Sequence, residues 1–249
     1  MFLVFKDHPG VPNETLVKEK GRLARIFNNK CVAEQNSFQC GWDLLMDPQF
    51  RHFRGYLCST ETELRRFRQL CVNSVLATDL GDKELKELRN GRWAKAFDEK
   101  EDEGVLSSTF IEPSSSQAIN RKATIVIEHL IQAADVAHMC QHWGIYRKWN
   151  ERLFEECYEA YRSGRAEKDP SKYWYDGEIG FFDFYIIPLS KKLRDCGVFG
   201  STSDENLKFA QENRALWAKN GKRIVAEMLK KVTRSSMMGE TESSTSESG

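Results

Sequence analysis

The sequence lacks an apolar run long enough to cross a membrane, and it has no excess of charge of either sign. A membrane-spanning helix needs about 20 consecutive apolar residues, and the apolar start of the chain, MFLVF, is also too short for a signal-peptide core. The 37 basic residues equal the 37 acidic residues, which excludes the basic bias typical of proteins that bind nucleic acids or membrane surfaces. We therefore expect a cytoplasmic protein with no nucleic-acid partner and no membrane partner.

Paired cysteines are also missing. The chain has seven cysteines, an odd number, and no two of them form a CxxC pair. This pattern favours reduced thiols and argues against a structural zinc site built from cysteines.

Strand signals are scarce, whereas apolar residues recur at intervals of three and four along most long segments. This periodicity predicts an all-α fold, and the 40% of hydrophobic residues can fill its core. The eight predicted helices span residues 14–27, 32–46, 60–80, 83–100, 125–138, 149–161, 178–194 and 204–232.

Several helices carry more specific expectations. The helix at 83–100 is so highly charged that we expect it to lie outside the core, and Pro188 should kink the helix at 178–194 because proline removes a backbone donor. The predicted inward-facing residues of the helices at 125–138, 149–161 and 178–194 are Ile127, Leu130, Ile131 and Ala134; Trp149, Leu153, Cys157 and Ala160; and Ile179, Phe182, Ile186, Leu189 and Leu193.

The chain divides into one large domain and a short tail. Residues 107–116 and 164–176 are polar and without helical period, which is typical of exposed loops. Residues 234–249 are rich in Ser, Thr, Glu and Gly and cannot bury apolar area. We expect a domain at 1–233 and a disordered tail at 234–249.

The most informative string is AADVAHMCQHWGIYRKWNERLFEE, which places Asp135 at the inward end of an apolar helix. A carboxylate there needs a partner, and without further context a nearby backbone group or arginine is favoured over a metal ion. His138 and His142 follow closely, but no HExxH pair supports them, so the spacing alone is a weak signal for a metal site.

This string and four other segments resemble the motifs of class I cyclic nucleotide phosphodiesterases. AADVAHM is similar to the ADxS helix of that family, and KWNERLFEECYEAYRSG to the helix that follows it. EIGFFDFYIIPL resembles QxGFxDxxxxPL, and ENRALW resembles ENRxWW. Upstream, DHPGVPN resembles the end of HDxDHPGxxN, and SVLATDL resembles LATDM. The segments occur in the family order over about residues 4–217.

The resemblance implies a compact, multi-helix, HD-type domain that hydrolyses cAMP or cGMP to the 5'-monophosphate in signal transduction. It also implies two divalent ions, zinc and magnesium, which activate a water molecule and stabilise the transition state. Asp135 matches a ligand of the tighter metal, and four positions match groups that hold metal-bound water: Asp7, His8, Glu34 and Thr78. Without the resemblance, Thr78 would be read as a helical threonine bonding its own backbone and Glu34 as a helix-surface residue.

The family clamps a purine base between an aromatic and an aliphatic side chain, positions matched here by Phe181 and Leu153. His138 replaces the asparagine of the ADLSN motif. Glu178 replaces the glutamine that reads the base edge, and an ionised carboxylate accepts hydrogen bonds but cannot donate one. We therefore expect adenine to be recognised less well than in the family, and guanine to be penalised less.

The sequence departs from the family where the remaining metal ligands are expected. The HD pair that precedes DHPG falls on Val4 and Phe5, neither of which coordinates metal. The HNxxHAxD motif, which carries the general-acid histidine, is absent, so no catalytic residue is assigned. Of the side chains that bind the tighter metal directly in the family, only Asp135 is matched. We expect little or no hydrolase activity from the chain as written.

Three interpretations remain open at this point. The chain is an N-terminally incomplete phosphodiesterase lacking its first helices, or a degenerate member that acts as a cyclic-nucleotide-binding or interaction module. A helical scaffold without any ligand is the third, although it leaves the order of the five segments unexplained.

Overall fold

The computed structural model describes residues 11–97 and 115–245, and every regular element in these ranges is helical. The all-α prediction is confirmed. The α-helices are α1 (Asn13–Lys18), α2 (Arg22–Ile26), α3 (Val32–Met46), α4 (Arg51–Leu57), α5 (Glu61–Leu76), α6 (Lys83–Phe97), α7 (Ser115–Asp135), α8 (Trp143–Arg162), α9 (Trp174–Phe181), α10 (Ile187–Asp195) and α11 (Ser203–Thr245). Short 3₁₀ turns lie at Pro48–Phe50, Ala137–Cys140, Pro170–Lys172 and Gly200–Thr202.

The helices form two compact units. The first contains Leu16–Asp135, and the second contains 11–15 together with the chain from Val136 onwards. In the first unit α5 packs against α3 and α7, and α6 packs against α7. In the second unit α11 packs against α8, α9 and α10.

Local signals explain most helix boundaries. Thr60 and Glu63 form a capping box at the start of α5, in which each side chain accepts a hydrogen bond from the other residue's backbone N–H. The predicted helix at 14–27 is instead two helices, because Lys20 adopts a left-handed conformation with φ of 53° between them. α3 has the predicted bounds.

The buried faces of three helices differ from the prediction. α6 buries Arg89 and Trp93, so it does not lie wholly outside the core. α7 buries Ile125 together with three polar side chains, Glu128, His129 and Gln132, whereas Ile127 is exposed. α8 buries Tyr146, Asn150 and Phe154 and exposes Trp149 and Leu153. In each case a polar residue occupies the core-facing stripe, which apolar periodicity does not detect.

The segment after α9 contains a π-helical turn, Phe182–Ile186, and Pro188 follows near the start of α10. The irregularity predicted from Pro188 therefore lies just before the proline, as a π-helical turn. Proline has no N–H group, so it leaves a carbonyl group of the preceding turn without its usual donor. Phe182, Ile186, Leu189 and Leu193 are buried there as predicted.

α11 is longer than the predicted 204–232 and continues to Thr245. Residues 234–245 are thus helical in the structure, although the sequence offers no apolar stripe to anchor them. The division into a domain at 1–233 and a tail at 234–249 stays a prediction. In the described ranges no helix combines the length and the apolar character that crossing a bilayer requires.

Candidate functional site

Asp135 is the last residue of α7, and its side chain is half-buried. It belongs to the first unit, whereas the residues matched to the base pocket all belong to the second. Within residues 11–97 and 115–245, no three His, Cys, Asp or Glu side chains are grouped so that they could hold a metal ion. Catalytic metal sites take about three protein ligands, so the described residues do not fit a two-metal centre.

Glu34 and Thr78 lie in the first unit, and Asp7 and His8 lie outside the described residues. Glu34 is half-buried in the first turn of α3. Thr78 is buried, and its hydroxyl group donates to the carbonyl oxygen of Val75 at 2.8 Å. That bond is the local backbone interaction expected of a threonine at a helix end, and the assignment of both residues to metal-bound water stays a prediction.

Glu178 lies on α9 and has the most specific environment of the predicted site residues. The hydroxyl group of Tyr146, on α8, donates to Oε2 of Glu178 at 2.7 Å. Asn150 lies one turn after Tyr146 with 2% of its surface exposed, and its Oδ1 accepts a hydrogen bond from Nε1 of Trp174 at 3.3 Å. The Nδ2 of Asn150 is buried and has no hydrogen-bond partner within 3.5 Å.

Burial dominates the electrostatics of this group. Desolvation raises the pKa of Glu178 to about 7, against the opposing effect of the hydrogen bond that the Tyr146 hydroxyl group donates to it. Burial and the neighbouring Glu178 carboxylate raise the pKa of Tyr146, which keeps its hydroxyl group protonated as a donor. Near neutral pH the Glu178 side chain populates both its ionised and its protonated form.

The other residues matched to the base pocket are more open. Leu153 lies on the exposed side of α8, with 47% of its surface exposed. Phe181 lies one turn after Glu178 and stacks on Tyr185, with ring centroids 5.2 Å apart and planes 13° apart. His138 is half-buried, with its ring 6.3 Å from that of Trp149, and burial lowers its pKa.

The segment that carries His138 is held by a residue far along the chain. Asn213 of α11 has 1% of its surface exposed, and its Nδ2 donates to the carbonyl oxygens of Met139 and Gln141 at 3.0 and 2.7 Å. His142 caps α8, because its Nδ1 accepts a hydrogen bond from the backbone N–H of Gly144 at 3.2 Å. The role of His142 is therefore explained by helix capping, and its position close to His138 in the sequence does not require a shared metal ion.

Sequence reasoning missed Tyr146, Asn150 and Asn213. The available signal was the spacing of Tyr146, Asn150 and Phe154 at four-residue intervals, which places a polar side chain between two aromatic ones on one helix face. Asn213 lies within the ENRALW segment but gave no indication of the carbonyl groups that it would bind.

Comparison with known proteins identifies the family. The sequence profile of the 3'5'-cyclic nucleotide phosphodiesterase family matches residues 6–200. The chain is 24% identical over 223 residues to a probable 3',5'-cyclic phosphodiesterase, pde-3, of Caenorhabditis elegans, covering 85% of this chain and 30% of that protein. It is 25% identical over 197 residues to the mouse 3',5'-cyclic-AMP phosphodiesterase 4C, covering 76% of this chain and 27% of that protein.

A solved structure shows the same fold. The phosphodiesterase domain of the rhodopsin phosphodiesterase from the choanoflagellate Salpingoeca rosetta superposes with a TM-score of 0.65 at 20% identity, covering 91% of this chain and 65% of that one. The chain thus spans less than a third of the length of the two curated relatives and about two thirds of the solved domain. Divalent metal cofactors are implied by the family in general. Because the family profile covers most of the sequence, the chain belongs to the 3',5'-cyclic nucleotide phosphodiesterase family.

Proposed function

We propose that this chain binds a 3',5'-cyclic purine nucleotide through the side of the second unit that carries Glu178, and that it has little or no hydrolase activity of its own. The observation that supports binding is the half-buried Glu178 carboxyl group, whose Oε2 accepts a hydrogen bond from the hydroxyl group of Tyr146. A partly buried, oriented acceptor is the kind of group that reads the edge of a base. Phe181 and Leu153 would contact the faces of the base.

The side chains available as metal ligands support the proposal that the chain has little or no hydrolase activity. The family mechanism uses two divalent ions, for which we propose zinc and magnesium, with Asp135 as a ligand of the tighter one. Among the described residues no group of carboxylates, histidines and cysteines could complete such a site. No hydrolytic step is therefore assigned to these residues.

Base preference follows from the protonation state of Glu178. When ionised, Glu178 accepts from the N1 and N2 hydrogens of guanine but cannot donate to N1 of adenine. When protonated, it has one donor and resembles the glutamine of the family. With a pKa of about 7, the chain should favour cGMP at pH 8, and this preference should shrink at pH 6.

Calorimetric titration with cGMP and cAMP at both pH values, combined with an assay for release of 5'-monophosphate, tests the proposal. We expect binding without turnover when Zn²⁺ and Mg²⁺ are supplied, and a Glu178→Gln variant that binds the two nucleotides more equally at pH 8. Glu205→Gln, an exposed position in the first turn of α11, is the matched control. Turnover at rates typical of enzymes, about 1 s⁻¹ or faster, or equal affinities unchanged by Glu178→Gln, would contradict it.

We also propose a cytoplasmic location. All seven cysteines are free thiols in the structure, which is consistent with a reducing compartment.

A further inference from the structure

A groove between α6 and α7, in the first unit, is lined by cations over an apolar floor. It has a volume of about 410 Å³, which falls in the size range of small-molecule sites. Its walls include Arg92, Lys95 and Ala96 of α6 and Ala118, Arg121 and Ile125 of α7. We call it the α6–α7 groove.

The charge of the groove has one sign. Among the residues that the structure describes, its charged lining side chains are those of Arg92, Lys95, Arg121 and Lys122, and none of the described lining side chains is acidic. The whole chain has equal numbers of acidic and basic residues, so this local excess departs from the general pattern. Like charges held together repel one another, and a bound anion relieves that repulsion.

One of the four cations is already paired with a carboxylate, and a second contacts an aromatic ring. The guanidinium group of Arg92 pairs with the buried carboxylate of Glu128. The ammonium group of Lys122 lies 5.7 Å from the centroid of the Phe97 ring, which fixes its position but leaves its charge unbalanced. Lys95 and Arg121 are exposed and make no ion pair with any residue that the structure describes. Lys95, Arg121 and Lys122 therefore remain to balance an anion.

The floor of the groove is suited to an apolar group. Ala96 and Ala118 are small and half-buried, and Ile125 is buried between the helices. Thr124, a polar lining residue, donates its hydroxyl hydrogen to the carbonyl oxygen of Asn120 at 2.9 Å, so it presents no free donor to a ligand.

We propose that the α6–α7 groove binds an organic phosphate, with its phosphate group between Lys95 and Arg121 and its apolar part against Ala96, Ala118 and Ile125. A phosphate monoester carries a charge of about −1.5 to −2 at neutral pH, which matches the three unbalanced cations better than a single carboxylate does. Arginine and lysine are the side chains that bind phosphate oxygens most strongly. The groove shares no residue with the proposed nucleotide site, which comprises Glu178, Phe181, Leu153 and His138, so the inference does not depend on the proposed function.

The probe for the test is phenyl phosphate, compared with inorganic phosphate and phenol, in EDTA so that no metal site contributes. In the ¹⁵N-labelled full chain we expect phenyl phosphate to shift the amide signals of Ala96 and Ala118. We expect it to bind more tightly than either comparison compound. Shifts confined to the second unit, or equal affinity for phenyl phosphate and inorganic phosphate, would overturn the proposal.

Variants provide the second measurement. Changing Lys95→Gln together with Arg121→Gln should weaken phenyl phosphate binding by about tenfold or more, because both phosphate-binding cations are lost. Changing Lys148→Gln together with Lys230→Gln removes the same charge from exposed positions on α8 and α11, and we expect a change of less than about twofold. Equal losses in the two double variants would show general charge attraction instead of a site.

Discussion

The guanidinium group of Arg214 holds both carboxylate oxygens of Asp183, with Nε 2.9 Å from Oδ1 and the terminal nitrogen Nη2 2.7 Å from Oδ2. Asp183 belongs to the EIGFFDFYIIPL segment and Arg214 to the ENRALW segment, so two motifs of the family are joined by one bidentate ion pair. The pair links α11 to the π-helical turn. It gives each of these two charged side chains a partner where the π-helical turn meets α11.

We expect this pair to contribute modestly to stability. Its side chains are about one third exposed, so a double-mutant cycle of Asp183→Asn and Arg214→Gln should give a coupling free energy of about 1 kcal/mol or less by urea unfolding. Hydrogen bonds from Arg214 lower the pKa of Asp183. The contribution is therefore present above the unfolded-state pKa and is lost as pH falls through the lower folded-state pKa.

The exposed pair Lys208 and Glu212, 4.0 Å apart, is the control for that cycle and should show a smaller coupling. A coupling for Asp183 and Arg214 no larger than that of the control would contradict the structural role assigned to the pair.

Replacing Glu178 with glutamine should change how stability depends on pH. The folded-state pKa of about 7 lies above the ordinary value of 4.5, so the folded state holds the proton more tightly than the unfolded state. Stability contributed by protonated Glu178 is thus complete below the unfolded-state pKa and is lost as pH rises through about 7. Glu178→Gln should stabilise the chain at pH 8 by about 3 kcal/mol, with little effect near pH 4.5.

Urea unfolding of Glu178→Gln and of the Glu205→Gln control at several pH values measures this effect. Parallel stability curves for the two variants would show that Glu178 is not held in a desolvated position.

Removing the hydroxyl group of Tyr146 should destabilise the second unit. Tyr146 is fully buried, its ring packs edge-on against those of Phe182 and Trp217, and its hydroxyl group donates to Glu178. Tyr146→Phe keeps the ring packing but removes a donor from the half-buried, desolvated carboxyl group of Glu178, at a cost of about 1–3 kcal/mol. It should also raise the pKa of Glu178 further.

Tyr158→Phe is the matched control, because Tyr158 lies on the same helix and stacks on Phe154 with ring centroids 6.1 Å apart. Thermal unfolding of the two variants should separate them by several degrees. Equal effects would mean that the hydrogen bond to Glu178 contributes nothing measurable.

Two helical glycines should respond in opposite directions to alanine. A Cβ atom on Gly221 of α11 would lie 2.8 Å from Cδ2 of Tyr175 and 2.9 Å from Cε2 of Trp217. The overlap should cost about 1–3 kcal/mol, more than alanine gains from its helix propensity. Gly91 of α6 has no atom within 4 Å of such a Cβ, so Gly91→Ala should stabilise by about 0.5–1 kcal/mol.

Denaturant unfolding of both variants at one pH measures the difference directly. Stabilisation by Gly221→Ala would mean that the rings of Tyr175 and Trp217 can move aside to make room for the added Cβ atom.

Helix positions were largely predictable from sequence, whereas the buried faces were not. α3 matched its predicted bounds because Asn28 and Asn29 precede it and Asp47 and Pro48 follow it. The prediction of the buried face of α8 was wrong, because Trp149 and Leu153 are apolar but exposed, while the polar Asn150 is buried against Trp174. Periodicity records hydrophobicity, and it cannot identify a polar side chain whose partner lies on another helix.

The candidate site was also predictable only in part from the sequence. The family motifs identified Glu178 and Phe181 as residues of interest, but the pKa of Glu178 depends on burial and on Tyr146, which no motif named. Asp135 is placed at the end of an apolar helix as predicted. Its proposed ligand role depends on other donors, and positions such as Asp7 and His8 lie outside the described residues.

The hydrogen bonds from Asn213 to Met139 and Gln141 have a consequence for how the protein is made. During synthesis the segment around His138 leaves the ribosome long before Asn213 does, because more than 70 residues separate them. Until α11 has been translated, the carbonyl groups of this segment lack the amide that fixes them. The nascent second unit therefore has to wait for its last helix before the segment that carries His138 can take its final position.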